Sequence, residues 1–506
     1  MTAHNGADAA SSGSSYGGKI TAAVVVTCIV AASGGLIFGY DVGISGGVTM
    51  MQPFLEKFFP SVLKKTGESK HNVYCVYDNH ALTAFTSSLY LAGLVASLLA
   101  VHLTASIGRR NVMILGGFTF LIGAAINGAA ANIFMLILGR IFLGVGVGFS
   151  NQATPVYLSE VAPPKWRGAF NIGFEFFLGV GVVTANCINF ATSRLSWGWR
   201  LSLALAAVPA IVMTIGSVLI SDTPSSLVQR GKLEQAKESL AKVRGKDANI
   251  EHELEQIINS NEVTKTINQK AFKTIFEIKY RPHLVMSIAI PSFQQLTGIN
   301  IIAFYAPVLF QSMNFGDDGA LIGTIILGSV NLASILISSV IVDRFGRRFL
   351  LIVGGLQILL CQVTIAFLLA AELGVSGTNP ISKGHATLLL ILMCIYSAGF
   401  GWSWGPLSWL IPSEIFPMEI RTAGQSISIA MNFATTFILS QTFLAMLCHF
   451  KYGAFLFHAG WVAVMTIFVM FLMPETKGIH IDSMQQVWEQ HWFWNRFVRP
   501  QYLGNV

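Results

Sequence analysis

Apolar stretches of about twenty residues recur along the whole of this sequence, and no other feature constrains its fold as strongly. A stretch of that length crosses a bilayer core of roughly 30 Å as a helix. The stretches fall near 20–44, 81–104, 111–130, 133–157, 168–190 and 199–220, then near 282–312, 318–342, 349–372, 385–412, 423–447 and 453–473. Twelve such spans imply an all-α membrane protein, because a helix satisfies its own backbone polar groups where no water can. Composition agrees, with 53% hydrophobic and 11% charged residues, too few charges to cover a soluble surface of this size. No metal cluster, nucleophile triad or phosphate loop stands outside the spans, so neither an enzyme nor a cofactor is expected.

Lys and Arg placement sets the orientation. Arg109 and Arg110, Lys165 and Arg167, and Arg344, Arg347 and Arg348 occupy short links, and 222–281 holds 11 of the 32 basic residues. All fall on one side if both termini are cytoplasmic. The net charge of +7 then reports topology and gives no reason to expect nucleic acid. The expected organisation is a disordered tail over 1–19, a six-helix half over 20–221, a cytoplasmic helical linker over 222–281, a second half over 282–474 and a tail over 475–506. The Ala-, Ser- and Gly-rich start lacks the positive charge of a signal peptide. Stretch 46–80 would lie outside as a lid carrying Phe54, Phe58, Phe59 and Tyr77. Cys75, Cys187 and Cys448 would share that oxidising side. Topology alone leaves a disulfide and free thiols both open.

The halves repeat one another. Glu160-Val-Ala-Pro-Pro-Lys-Trp-Arg167 is echoed by Glu414-Ile-Phe-Pro-Met-Glu-Ile-Arg421 at an offset of 254, and Gly108-Arg109-Arg110 by Gly346-Arg347-Arg348 at 238. Acids and arginines at helix ends can pair and hold one conformation closed inside. The plainer alternative is topology alone.

Charges within spans are costly and mark function by default. Asp41 lies late in the first span, Arg140 in the fourth and Glu175 early in the fifth. Asp41 and Arg140 can offset each other's desolvation, and a proton arriving on Asp41 would free Arg140. A permanent structural ion pair is the alternative. Amides concentrate in the second half: Gln294, Gln295 and Asn300 in span 7, Asn331 in span 8, and Asn432 with Thr436 in span 11, beside Trp402, Trp404 and Trp409 of span 10. Amides around an aromatic plane suit a neutral polyhydroxylated ligand, although each could serve interhelical bonding instead.

Phe38-Gly-Tyr-Asp41, Arg140, Gln294-Gln-Leu-Thr-Gly-Ile-Asn300, Trp402-Ser-Trp-Gly-Pro406 and Pro474-Glu-Thr-Lys-Gly478 together resemble the sugar porter branch of the major facilitator superfamily. Within it the chain looks like the plant sugar transport proteins, which are hexose–proton symporters. The resemblance, running from about residue 19 to about 495, implies the major facilitator fold and import of a monosaccharide with a proton as the coupling ion. It implies Asp41 as proton acceptor with Arg140 as partner. Phe38, Gln294, Gln295, Asn300, Asn331, Trp409 and Asn432 match sugar-binding positions, with Thr436 beside them. Glu160, Arg167, Asp343, Arg347, Glu414 and Arg421 match a cytoplasmic gating network, and Cys75 and Cys448 a lid disulfide. A monomer in the plasma membrane is expected. A facilitative uniporter and a non-transporting sugar sensor are the competing readings, and Asp41 separates the first, since passive relatives generally lack that acid. Two departures stand out. Glu175 occupies a sugar-contacting position where the family usually has Gln, which changes the hydrogen-bond donors and the charge of the site. Ser221-Asp-Thr-Pro224 replaces the usual Pro-Glu-Thr-Pro, and the shorter acid is expected to weaken a cytoplasmic contact.

Overall fold

The computed structural model describes residues 22–67, 75–162, 167–245, 250–268, 271–300, 302, 310, 316–374, 381–417, 419–479 and 484–498. Among them, eleven helices are long and apolar enough to cross a membrane. The first is α1 (Ala22–Ala32) continued by α2 (Gly34–Val48) after a break at Ser33. Two short helices follow, α3 (Gln52–Phe58) and α4 (Pro60–Gly67), then α5 (His80–Ile107), α6 (Arg109–Gly128), α7 (Ile133–Val161) and α8 (Arg167–Thr192). The sixth span is again broken, into α9 (Gly198–Ala204) and α10 (Ala207–Leu219). The connection carries α11 (Pro224–Gln229), α12 (Leu233–Arg244), α13 (Ile250–Asn268) and α14 (Ala271–Thr274). In the second half come α15 (Arg281–Leu296), α16 (Gly316–Phe345), α17 (Arg347–Leu373), α18 (Lys383–Trp402), α19 (Trp404–Ile415), α20 (Arg421–Phe450) and α21 (Gly453–Leu472). The short α22 (Met484–Gln490) and α23 (Asn495–Val498) close the described chain.

Observed spans match the apolar stretches to within a few residues. Span 7, expected over 282–312, is α15 as far as Leu296, and much of its second part lies outside the described residues. Breaks in the spans have local causes. Ser403 between α18 and α19 departs from helical geometry, and a methyl group on Gly354 would meet its hydroxyl at 1.9 Å.

Small residues let the first-half helices approach to backbone contact, as close helix packing in a bilayer requires. A Cβ on Gly39 would lie 1.9 Å from the Leu178 carbonyl oxygen of α8, and one on Gly43 would lie 2.7 Å from that of Val182. The two halves meet through α5 against α20 and α8 against α16.

Most polar contacts that join the halves lie toward one end. There Ser87 donates to Gln441 (2.6 Å), Asn186 to Thr324 O (3.4 Å), and Arg194 pairs with Asp318 at 2.8 Å. Cys75 and Cys448 form a disulfide at the same end; Cys187, exposed on α8, stays a free thiol. The segment α3–α4 packs back onto the first half, with the Phe54 ring tilted against Phe85 (5.6 Å) and edge-on to Trp199 (5.8 Å). At the opposite, Arg-rich end, Gln152 of α7 reaches Ser426 of α20 at 3.5 Å.

Candidate functional site

Asp41 of α2 and Arg140 of α7 are both fully buried and form an ion pair. The guanidinium is held from three further directions. It donates to Ser45 Oγ (2.8 Å) and to the Phe85 carbonyl (3.1 Å), and it lies 4.9 Å from the centre of the Phe85 ring. Ser45 in turn donates to the Asp41 carbonyl, so one turn of α2 supplies both the acid and a second ligand. The second carboxylate oxygen of Asp41 has no partner among the described residues. Desolvating two charges is tolerable only where pairing and hydrogen bonds offset it, and here three helices share that task. Phe85 also touches Phe54, so α3 lies two rings away from the pair.

One turn before Asp41, Phe38 faces a cavity between the halves. Its first-half wall is Phe38, Val42, Glu175, Leu178 and Asn186; its second-half wall includes Gln294, Gln295, Asn300, Asn331, Phe400 and Trp409. The amides form a chain. Asn300 donates to Gln295 Oε1 (2.7 Å), Gln295 to Gln294 Oε1 (3.4 Å), and Gln294 to the Gly405 carbonyl (3.2 Å). Asn432 also donates to Gln294 Oε1, at 2.7 Å, and Asn331 donates to the Ser397 carbonyl at 3.2 Å. Consecutive Gln294 and Gln295 reach the same cavity because α15 ends at Leu296 and Gly298 adopts a positive φ of 84° that turns Asn300 back toward them. Glycine takes that backbone conformation without strain.

A second chamber continues toward the Arg-rich end, lined by Gln152, Asn171, Phe174, Ser428 and Asn432. Gln294 and Trp409 line both chambers and form the partition, with the Trp409 ring edge-on to Phe174 at 5.9 Å. Asn432 thus belongs to the second chamber. Thr436 lines neither; its hydroxyl donates to the Asn432 carbonyl at 2.7 Å. Asn186, Thr324, Ser397 and Phe400 line the first chamber without having been picked out from sequence. The only signal there was an isolated polar residue in an apolar span, such as Asn186 in Val-Val-Thr-Ala-Asn186.

At the Arg-rich end the acids pair across motifs. Glu160 bonds Arg109 (2.9 Å) and accepts from Thr223; Glu414 bonds Arg347 (2.8 Å) and accepts from Thr476 (2.8 Å). Each half therefore closes its own cluster. Asp343 adds a pair to Arg347 from an exposed position one turn away, and Arg421 donates to the Phe416 carbonyl at 3.4 Å. Arg167 opens α8, while its side chain and Lys165 lie outside the described residues. Asp222 keeps its contacts despite its shorter side chain: it pairs with Arg230 and accepts from the Arg110 amide (3.2 Å) and Ser226 Oγ (3.0 Å). Thr223, Thr476 and Glu475 completed these clusters unannounced, because motif spacing orders neighbours along the chain and not partners across it.

Comparison with known proteins supports the same reading. Residues 27–488 match the family model described as sugar (and other) transporter. The chain is 64% identical over 493 residues to sugar transport protein 5 of Arabidopsis thaliana, covering 97% of both chains. It is 54% identical to sugar transport protein 10 of the same plant (96% and 95% covered) and 53% identical to hexose carrier protein HEX6 of Ricinus communis (96% of each). Among solved structures, the proton:xylose symporter XylE bound to 6-bromo-6-deoxy-D-glucose superposes with a TM-score of 0.77 at 25% identity, over 92% of this chain and 99% of the other. These matches also mark the chain as a transporter and not an enzyme. It belongs to the sugar transporter family, in the branch of the plant sugar transport proteins, with their twelve-helix major facilitator fold.

Proposed function

We propose that this protein is a proton-coupled symporter that imports monosaccharides, hexoses such as glucose, by alternating access. The observation that carries this is that Asp41, paired with Arg140 of α7, sits on the helix that lines the amide-rich cavity, one turn from Phe38. Protonating Asp41 removes the charge that Arg140 faces, so the packing of α2 against α7 responds, and with it the cavity wall. Gln294, Gln295, Asn300, Asn331 and Asn432 supply donors and acceptors for sugar hydroxyls, and Trp409 and Phe38 offer faces for its C–H surfaces. Glu175 is the one acid among the described residues of that wall. In this reading the Glu160, Arg167, Asp343, Arg347, Glu414 and Arg421 clusters gate the cytoplasmic side. The lid over 46–80 and its disulfide face outward, both termini are cytoplasmic, and the protein works as a monomer in the plasma membrane.

A facilitative uniporter is the second reading, favoured by the Ser45 and Phe85 contacts that hold Arg140 whatever the charge on Asp41. Proteoliposomes separate the two. Symport predicts that adding glucose on the outer side alkalinises the medium, and that Asp41→Asn abolishes concentrative uptake while glucose counterflow persists. Counterflow without sugar-dependent proton movement in the wild type establishes the uniporter. Saturable binding with no counterflow establishes a sensor.

A further inference from the structure

Among the described residues that line the first chamber, Glu175 alone carries a charge, and no cation among them answers it. Glu175 lies about a third of the way along α8, 5% exposed, on the cavity wall. No hydrogen bond or ion pair to its carboxylate exists among the described residues. None of the other described residues that line either chamber is charged. The other acid buried within a span among the described residues, Asp41, has Arg140 as its own counter-ion, and Arg140 is fully engaged with Asp41, Ser45 and the Phe85 carbonyl. The α8 neighbours across the halves offer Gly328, Leu332 and Ile335, which bring no cation. A carboxylate buried without a partner is costly, and it persists where the partner arrives with the ligand.

We infer that Glu175 makes this cavity selective for a monosaccharide bearing an amine, an aminohexose whose ammonium group pairs with the carboxylate while the amide chain reads its hydroxyls. The inference rests on the cavity being a sugar site. The ammonium donates three hydrogen bonds and accepts none, which complements an acceptor-only carboxylate. A neutral hydroxyl at that position makes a weaker, uncharged bond. The gain of a charge-assisted over a neutral hydrogen bond corresponds to about tenfold in affinity. The remaining hydroxyls of an aminohexose are still served by Gln295, Asn300 and Asn331 on the opposite wall.

The test is competition against labelled sugar in equilibrium exchange, with purified protein in liposomes. The competitors are D-glucose, 2-amino-2-deoxy-D-glucose and 6-amino-6-deoxy-D-glucose, at a pH where the amines are protonated. At least one amine is expected to compete about tenfold more strongly than glucose. Glu175→Gln should bring the ratio to one or below, and Glu175→Asp should retain part of it. Equal potency of amines and glucose in the wild type overturns the inference without any variant. So does an amine preference that survives Glu175→Gln, and a carboxylate that holds its own proton gives the first of these results. Exchange of labelled 2-amino-2-deoxyglucose without exchange of labelled glucose would sink the neutral-hexose reading and leave this one standing. Exchange of neither sinks both.

Discussion

A single methyl group at Gly39 would sit 1.9 Å from a backbone carbonyl of α8 that cannot swing away. Gly39→Ala should therefore force α2 and α8 apart and lower the melting temperature by several degrees, as other substitutions that overpack a close contact do. Gly460→Ala is the control, since a Cβ there meets nothing within 4 Å. Scanning fluorimetry of both variants should show a large drop in the first and almost none in the second. The same closeness explains why Asp41 was legible from sequence. An acid between glycines in an apolar span must find a buried cation, and Arg140 is the one mid-span arginine of that half. The ligands that complete the pair were not legible. Ser45 and the Phe85 carbonyl are ordinary span residues until the fold brings α5 beside α7.

The helices α6 and α17 begin in the same way, and their duplication was visible as Gly-Arg-Arg. Gly108 and Gly346 have φ values of 93° and 90°, which a side-chain-bearing residue adopts only with strain. Glycine has no side chain with which to cap the amides that follow it, and those amides need acceptors. A distant acid meets the need in each half. Asp222 accepts from the Arg110 amide, and Glu475 from the Arg347 and Arg348 amides at 2.8 and 3.1 Å. A carboxylate at a helix N-terminus also suits the dipole. Removing a cap costs about 1 kcal/mol, so Glu475→Ala should destabilise by that amount or more. Asp222→Ala should cost more, because Arg230 loses its partner as well. Thermal unfolding with and without sugar would rank the two, and equal effects would mean that the Arg230 pair contributes nothing. Sequence showed that the two halves repeat but not that these acids, 253 positions apart, do the same work.

The state of the whole molecule was beyond the reach of sequence, because both conformations of a transporter use the same residues. In this structure the halves are joined by polar contacts toward the disulfide end, while the second chamber runs between them toward the Arg-rich end. The closure on the disulfide side depends on α8 meeting α16 at small residues. A Cβ on Gly328 would be 3.3 Å from the Val183 side chain and 3.6 Å from Asn186 Nδ2, which leaves no room for anything larger. Gly328→Leu should act as a wedge and shift the population toward a form open at that end. The Arg194–Asp318 pair adds little to the closure, being exposed on both sides, where such pairs contribute at most about 1 kcal/mol. Positions 194 and 318 can therefore be replaced by spin-labelled cysteines in a Cys187→Ser background, and they report the separation directly. In the otherwise unchanged protein the label distance should stay short. With Gly328→Leu it should lengthen, and the Cys75–Cys448 tether should limit how far, so that replacing both of those cysteines by serine lengthens it again. A distance that ignores both the wedge and the loss of the disulfide would mean that α8 and α16 do not separate at that end, and closure would have to be sought between α5 and α20.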